Sequence, residues 1–440
     1  MTIRIFFIYL IALFLPILFI ESKSYLIYFD YYSLFVFLTF CLQLIQKDKN
    51  FAVVSFYIFF AFITTLVVSL LLEHGVYLLE INEVSYAIGI TSKGAITGFL
   101  FISAMYFSFN TFKKTNLRIR NLDSSSVFIA SNIFRGLLIC MMLVLFMLLL
   151  QYGFPLFMKV QRADYWASYA PNWGGILVFW LEQFSLLLGF LYASQKRKLD
   201  LALFIILIIL TILAGSRFTG LFQSTIYFLI PNLVLAKSFK FHHPKFVIAS
   251  IILFFGLITL VLNSFEATSK QARQDNLMLR IVLQGQMWWA LDNKASIYPK
   301  SSNEIINSYI GISNNPNAKG INYLMYLVAP SEIVNQKVDT DSRFTMSGFF
   351  NTYYFFGYFL GFLINTLYGL FFGLLLYSLF LGLKGNNIIF ILFIFKSITK
   401  MTAILVTGNV DDLFSFNTII FLSICLLFLY FPKNVRMKHV

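Results

Sequence analysis

Apolar runs follow one another along almost the whole chain, separated by short charged connections, until polar positions take over between about 265 and 347. The runs lie near 3–21, 25–45, 51–72, 94–112, 132–150, 174–193, 200–215, 218–236, 246–264, 350–383, 387–407 and 412–431. Most have the length, about 20 residues, that a helix needs to cross the hydrocarbon of a bilayer. The seventh is short and the tenth too long. Lipid satisfies no backbone hydrogen bond and no alternating barrel pattern is visible, so each run is expected to be a helix. The pattern predicts an all-α, polytopic integral membrane protein with about 12 transmembrane helices. Residues 1–264 then hold nine helices with a medium outer loop at 151–173, residues 265–347 form a large outer loop, and residues 348–440 hold the last three helices and a tail. No small-residue cleavage site follows the first run, which therefore reads as a signal-anchor that stays.

Composition supports this reading, with 59% hydrophobic and only 12% charged residues. Lysine and arginine fix the expected orientation. About 17 fall in one set of short connections and about 5 in the opposite set, which places both termini in the cytoplasm and the large loop outside it. The same bias accounts for the net charge of +14. That charge meets anionic lipid headgroups, and nucleic acid is not the expected partner. Cys41, Cys140 and Cys425 all fall inside apolar runs, so no disulfide framework is expected outside.

Three outer connections carry the candidate chemistry. The medium loop holds Lys159, Arg162, Asp164, Tyr165 and Trp166; a tight turn holds Arg217; the large loop holds Arg273, Arg280 and Arg343. An arginine grips phosphate oxygens in a planar fork and does not lose its charge. Arg217 follows Ala214-Gly215-Ser216 between two spans, at headgroup depth, where a charge is costly unless it meets an anion. The stretch 267–292 reads as an amphipathic surface helix with Arg273 and Arg280 on one face and Trp288-Trp289 at the membrane boundary. Within the membrane, Glu182 and Lys400 lie at similar depth; pairing with each other is the first expectation and a substrate contact by Lys400 the second. In the tenth run Gly357, Gly361, Asn365, Gly369 and Gly373 recur every four residues, a pattern for close helix packing. Its excess length predicts a helix that tilts strongly or rises above the bilayer. No zinc cluster or catalytic triad stands out, and the pairs Asp339/Asp341 and Asp411-Asp412 are weak metal signals, so no metal or cofactor is assigned.

This layout resembles the O-antigen polymerase (Wzy) family, whose members have about twelve spans, cytoplasmic ends and their largest outer loop late in the chain. The local similarity is Ala214-Gly215-Ser216-Arg217 and the run from Ser342-Arg343-Phe344 through Gly348-Phe349-Phe350 to Tyr354-Phe355-Phe356-Gly357 and Gly361. Part of the family pairs an outer-loop arginine with a glycine eleven positions on; here Gly174 follows Arg162, and Gly285 follows Arg273, after twelve. The resemblance implies a membrane glycosyltransferase at the periplasmic face of a bacterial inner membrane, GT-C-like by analogy. Its substrates would be undecaprenyl-pyrophosphate-linked oligosaccharides, with no nucleotide sugar required. A chain-length regulator protein is a candidate partner. Arg217, Arg273 and Arg280 are then expected to stabilise the leaving pyrophosphate, with Arg162 and Arg343 holding a second pyrophosphate or sugar hydroxyls. Tyr165 and Trp166 would stack on sugars. The general base is sought among Asp164, Glu266, Asp275, Asp292, Glu304, Glu332, Asp339 and Asp341, with Glu266 and Asp341 preferred. Two alternatives remain: a flippase or transporter of lipid-linked oligosaccharides, and an O-antigen ligase, whose family uses an outer-loop histidine that this loop lacks.

Overall fold

The computed structural model describes residues 3–18, 26–115, 124–158, 160, 162–216, 218–236, 281–295, 297–339, 343–344, 348–408, 410, 413 and 415–430. Helices dominate, and six among the described residues are long and apolar enough to cross a membrane, with shorter apolar helices at Arg4–Leu18, Gly220–Leu235 and Phe416–Leu427. The chain is a helical membrane protein. The ninth run and most of the expected surface helix lie outside the described residues. Two compact units are present: residues 1–117, 275–378 and 397–424 form the first, and residues 118–274, 379–396 and 425–440 the second.

The first unit contains α1 (Ile3–Leu18), α2 (Leu26–Lys47), α3 (Lys49–Val54), α4 (Phe56–Glu73), the hairpin strands β1 (Tyr77–Leu78) and β2 (Glu83–Val84), and α5 (Ile90–Lys114). The run at 51–72 is therefore two helices. Asp48 caps α3 by accepting from the Asn50 and Phe51 amides at 3.1 Å, and Ser55 separates α3 from α4. The centre of the unit is α5, which packs against α1, α2 and α4 and is mostly buried. Its small residues permit this. A side chain at Gly98 would collide with Phe37 and Phe62, and one at Gly94 with Leu66. Without a hydrophobic drive between helices in lipid, such close van der Waals approach is what holds spans together.

Farther along lie α6 (Ser124–Tyr152), α7 (Asn172–Gln195), α8 (Lys198–Leu213), α9 (Phe218–Leu235), α10 (Gln286–Lys294), α11 (Gly320–Val328), α12 (Ser331–Asp339), α13 (Gly348–Lys384), α14 (Ile388–Thr407) and α15 (Phe416–Tyr430). The excess length of the tenth run turns out to hold a break in α13, where the sequence alone suggested a strong tilt or a rise above the bilayer. Gly357 has φ 72° and ψ 172°, a conformation essentially confined to glycine. Pro299 packs on it, and the Lys300 amide donates to the Phe355 carbonyl at 2.9 Å. The arm before the break folds back on the helix after it. Asn365 Nδ2 donates to Thr352 Oγ1 at 2.8 Å and to the Phe349 carbonyl at 3.2 Å, while Gly361 leaves room for the Tyr353 ring.

The four-residue glycine row therefore has two jobs. Gly357, Gly361 and Asn365 make the fold-back; Gly369 and Gly373 bring α13 against the Phe101 and Met105 carbonyls of α5. Because a new Cβ at Gly373 would strike backbone, no rotamer change relieves it. Gly373→Val is expected to destabilise the first unit by about 1–3 kcal/mol or more, read as a lower unfolding midpoint in detergent. An unchanged midpoint would show that the two helices can separate freely.

In the second unit α7 is central, packing against α6, α8 and α9. A Cβ at Gly189 would overlap the Phe228 carbonyl, and Asn232 Nδ2 donates to the Gly189 carbonyl at 3.3 Å. Inside α6 is Arg135, a charge that the apolar pattern hides. Its guanidinium is buried and meets Asp200 in a fork, Nε to Oδ1 at 2.6 Å and Nη2 to Oδ2 at 2.9 Å. Gln195 and Asn132 accept its remaining bonds.

Candidate functional site

In the second unit the loop at 151–173 and the turn at 214–216 converge. Gly153, at φ 86°, ends α6 and lets the chain reverse. A helical turn, Arg162–Asp164, is followed by a π-helical turn, Tyr165–Tyr169, and then by Pro171 and α7. Single π turns are often found at functional positions. The Tyr165 hydroxyl donates to the Gly153 carbonyl at 2.6 Å. Trp166 lies over Gly174 and Gly175, where any larger residue at 174 would overlap its ring. Both aromatic side chains are buried, so they anchor the loop and do not offer open faces for sugar stacking. The sequence expectation for Tyr165 and Trp166 is corrected accordingly: glycines that look ordinary at a span start are the seat of the tryptophan.

What this anchoring holds in place is Arg162. Its Nη1 donates to Glu182 Oε1 and to Ser216 Oγ, each at 3.0 Å, and the Ser216 hydroxyl donates to the same carboxylate oxygen at 2.6 Å. Glu182 is buried on α7, and Gly220 of α9 leaves space for its carboxylate. Gly215, at φ 83°, turns the chain so that Ser216 can reach this cluster, with Pro155 and Arg162 packed against it. Glu182 thus meets Arg162, where sequence depth suggested Lys400. The Arg162 side chain remains about one-third exposed, 29%, and Nε and Nη2 have no partner among the described residues. A guanidinium fixed through one nitrogen and open at the others is preset for a second, anionic acceptor. Deeper in the same unit, Lys396 donates to Gln183 Oε1 at 2.9 Å and lies 3.7 Å from the Trp180 ring centroid.

In the described part of the large loop's expected surface helix, residues 281–292, the tryptophans do not sit at a lipid boundary. Trp288 and Trp289 are buried, the first stacked on Phe350, the second donating from Nε1 to the Tyr86 carbonyl at 2.8 Å. The loop is instead fastened to the 74–93 segment, which the hydropathy pattern passes over. Lys294 pairs with Glu83 at 2.6 Å, Lys337 with Glu80 at 2.8 Å, and Asp292 with Lys93 at 2.5 Å. Tyr86 bonds Asn293, and Tyr358 donates to Asp292 at 2.5 Å. Asp292 is therefore spent on structure. Glu304 differs. It closes a short helical turn ahead of a second π turn, Ile305–Tyr309, and its Oε1 accepts from Tyr323 at 2.7 Å and Tyr354 at 3.2 Å. Burial raises the Tyr323 hydroxyl above its ordinary range, and Glu304 adds to the rise while Tyr354 opposes it, so the phenol stays a donor.

Beside Tyr323 a shallow, open depression is lined by Asn315, Asn317, Ala318, Tyr323, Tyr326, Ser331 and Asn335. The acids Asp164, Glu332 and Asp339 are exposed, as is Arg343, and Lys400 is half-buried on α14. Arg217, Arg273, Arg280, Glu266, Asp275 and Asp341 lie outside the described residues. The signals that sequence reasoning missed are carboxylates next to apolar runs: Glu73, Glu80, Glu83 and Asp200.

A model of a family of unknown function, DUF6418, matches residues 314–422, a segment that contains every residue lining the depression. No curated protein matches the chain. No solved structure matches it either.

Proposed function

We propose that this chain is a membrane glycosyltransferase that joins undecaprenyl-pyrophosphate-linked oligosaccharide repeat units into surface polysaccharide, at the periplasmic face of a bacterial inner membrane. The observation that carries the reading is the meeting of Arg162 with the Ala214-Gly215-Ser216 turn through Glu182. Two separate connections meet at Arg162, and in the sequence the residue after that turn is Arg217. Orientation by the positive-inside rule, with both termini cytoplasmic, puts this place on the outer side.

In the proposed reaction a hydroxyl of the acceptor repeat unit attacks the anomeric carbon of the donor. A new glycosidic bond forms as the bond to the pyrophosphate oxygen breaks, and undecaprenyl pyrophosphate departs. The hydroxyl proton passes to a carboxylate base, for which Glu266 and Asp341 keep their proposed role. Negative charge grows on the departing pyrophosphate, and a guanidinium already fixed in place, as that of Arg162 is, stabilises it without reorganising. Arg162 and Arg217 are assigned to that task, with Arg273 and Arg280 beside them in role and Arg343 as a holder of substrate. A substrate contact by Lys400 belongs to the same proposal. Glu182 is the positioning residue for Arg162.

The reading is tested in a strain deleted for the gene, with lipopolysaccharide resolved by gel. Core carrying a single repeat unit is the expected phenotype, with the ladder restored by the wild-type gene. Arg162→Ala, stably expressed, is expected to lower ladder synthesis about a hundredfold or more, as loss of one such donor does elsewhere. Repeat units trapped inside would indicate a flippase instead, and polymer accumulating on its carrier a ligase.

A further inference from the structure

Three buried carboxylates lie around the start of α5: Asp30 of α2, Glu73 of α4 and Asp292 of α10. Two of them have their charge answered. Lys93 Nζ lies 2.5 Å from Asp292 Oδ2 and 5.4 Å from the centre of the Tyr358 ring. Glu73 is met by the amides that open α5, at the positive end of that helix. Asp30, 0% exposed, has neither kind of partner. Its Oδ1 accepts the Ser92 amide and hydroxyl, at 2.9 and 2.6 Å. Its Oδ2 is buried with no hydrogen-bond partner among the described residues.

An isolated carboxylate charge in such a place is so costly that the group is neutralised instead. A neighbour adds to the cost. Glu73 accepts from Ile90 and Asp30 from Ser92, so the two carboxylates stand on either side of Thr91 and repel one another. The other titratable groups that act on Asp30 are Lys93 of α5 and His74 at the end of α4. His74 does not bond it, since its ring nitrogens meet the Leu70 carbonyl at 2.8 Å and the Tyr31 hydroxyl at 3.1 Å. A metal ion needs several oxygens around it, and among the described residues no three His, Cys, Asp or Glu side chains come within reach of one ion. A proton needs one oxygen. Thr91 Oγ1, buried and also without a partner among the described residues, is an acceptor of the kind that a protonated carboxyl seeks.

We infer that Asp30 and Glu73 form a proton-binding site in which one proton, held on Asp30 Oδ2, neutralises the charge that Lys93 and the α5 amides leave unanswered. Glu73 stays ionised as the cap of α5, and the proton removes the repulsion between the pair. The site joins α2, α4 and α5 and is independent of the polymerase reading, whose residues lie elsewhere in the chain.

The test is difference infrared spectroscopy on the full chain in nanodiscs, titrated from about pH 8 to about pH 5, above the ordinary carboxylate range of about 4. Wild type is expected to gain the C=O stretch of a protonated carboxyl, and Asp30→Asn to lose that band. Asparagine keeps an acceptor oxygen for Ser92 and carries no charge, so the variant is expected to fold. Isotopically labelled aspartate in the wild-type chain is expected to shift the band, which assigns it without a substitution. Sodium and choline buffers are expected to give the same titration. No band in wild type overturns the inference, as does a band that survives in Asp30→Asn and vanishes in Glu73→Gln. A band that sodium abolishes also overturns it, and would make the site one for a metal cation.

Discussion

Asp200→Ala is expected to lower stability by about 3–5 kcal/mol, because it leaves Arg135 charged and buried with its fork empty. The pair is enclosed, Arg135 being 4% and Asp200 0% exposed. Both carboxylate oxygens are used, and Gln195 and Asn132 cannot supply a countercharge. Arg135→Ala is expected to cost somewhat less, since Asp200 sits at the first turn of α8, where the helix dipole favours a negative charge. The double substitution Arg135→Leu with Asp200→Leu should recover most of the loss, since two apolar side chains leave no unpaired charge. Thermal unfolding of the detergent-solubilised chain gives all three values. Equal midpoints for the single and double variants would show that the pair does not act as a unit.

The second large effect is expected at Glu73, the last residue of α4. Its buried carboxylate accepts the amides of Ile88 at 2.6 Å and Ile90 at 2.5 Å, with Gly89 and Thr91 at 3.4 Å. These are the donors that the start of α5 leaves without intrahelical partners. A negative charge here also meets the positive end of the α5 dipole. Glu73→Ala strands several amides at once, each costing about 1–3 kcal/mol, so the first unit should lose most of its stability. Glu73→Gln keeps one acceptor oxygen and should fall between. A midpoint within a degree or two of wild type for Glu73→Ala would mean that another group, or water, caps α5. Asp30 supports the same helix start, accepting the Ser92 amide at 2.9 Å and its hydroxyl at 2.6 Å.

These two carboxylates also mark where the sequence stops being informative. Apolar run length identified the helices at 26–47, 90–114 and 172–195 to within a few residues, because a bilayer imposes one length on every span. The same measure misread the tenth run, since hydropathy does not register that one glycine takes a left-handed φ. It also missed the break at Ser55, which costs no hydrophobicity. Arg162 was legible, as an arginine in a loop between two apolar runs. Its link to Glu182 was not, because depth in the membrane fixes height and leaves the direction of a side chain open. Tyr165 and Trp166 were misjudged for a related reason. Aromatic residues beside an arginine look like a sugar site, yet their burial is set by Gly153, Gly174 and Gly175, and those contacts form only when the loop folds.

The most direct test of the central claim is reconstitution. Purified chain in proteoliposomes would be given undecaprenyl-pyrophosphate-linked repeat unit as its sole sugar substrate. The account predicts products at integer multiples of the repeat unit, release of undecaprenyl pyrophosphate in step with each bond formed, and loss of both in a folded Arg162→Ala chain. Repeat units that cross the bilayer without lengthening, and with no carrier released, would contradict it.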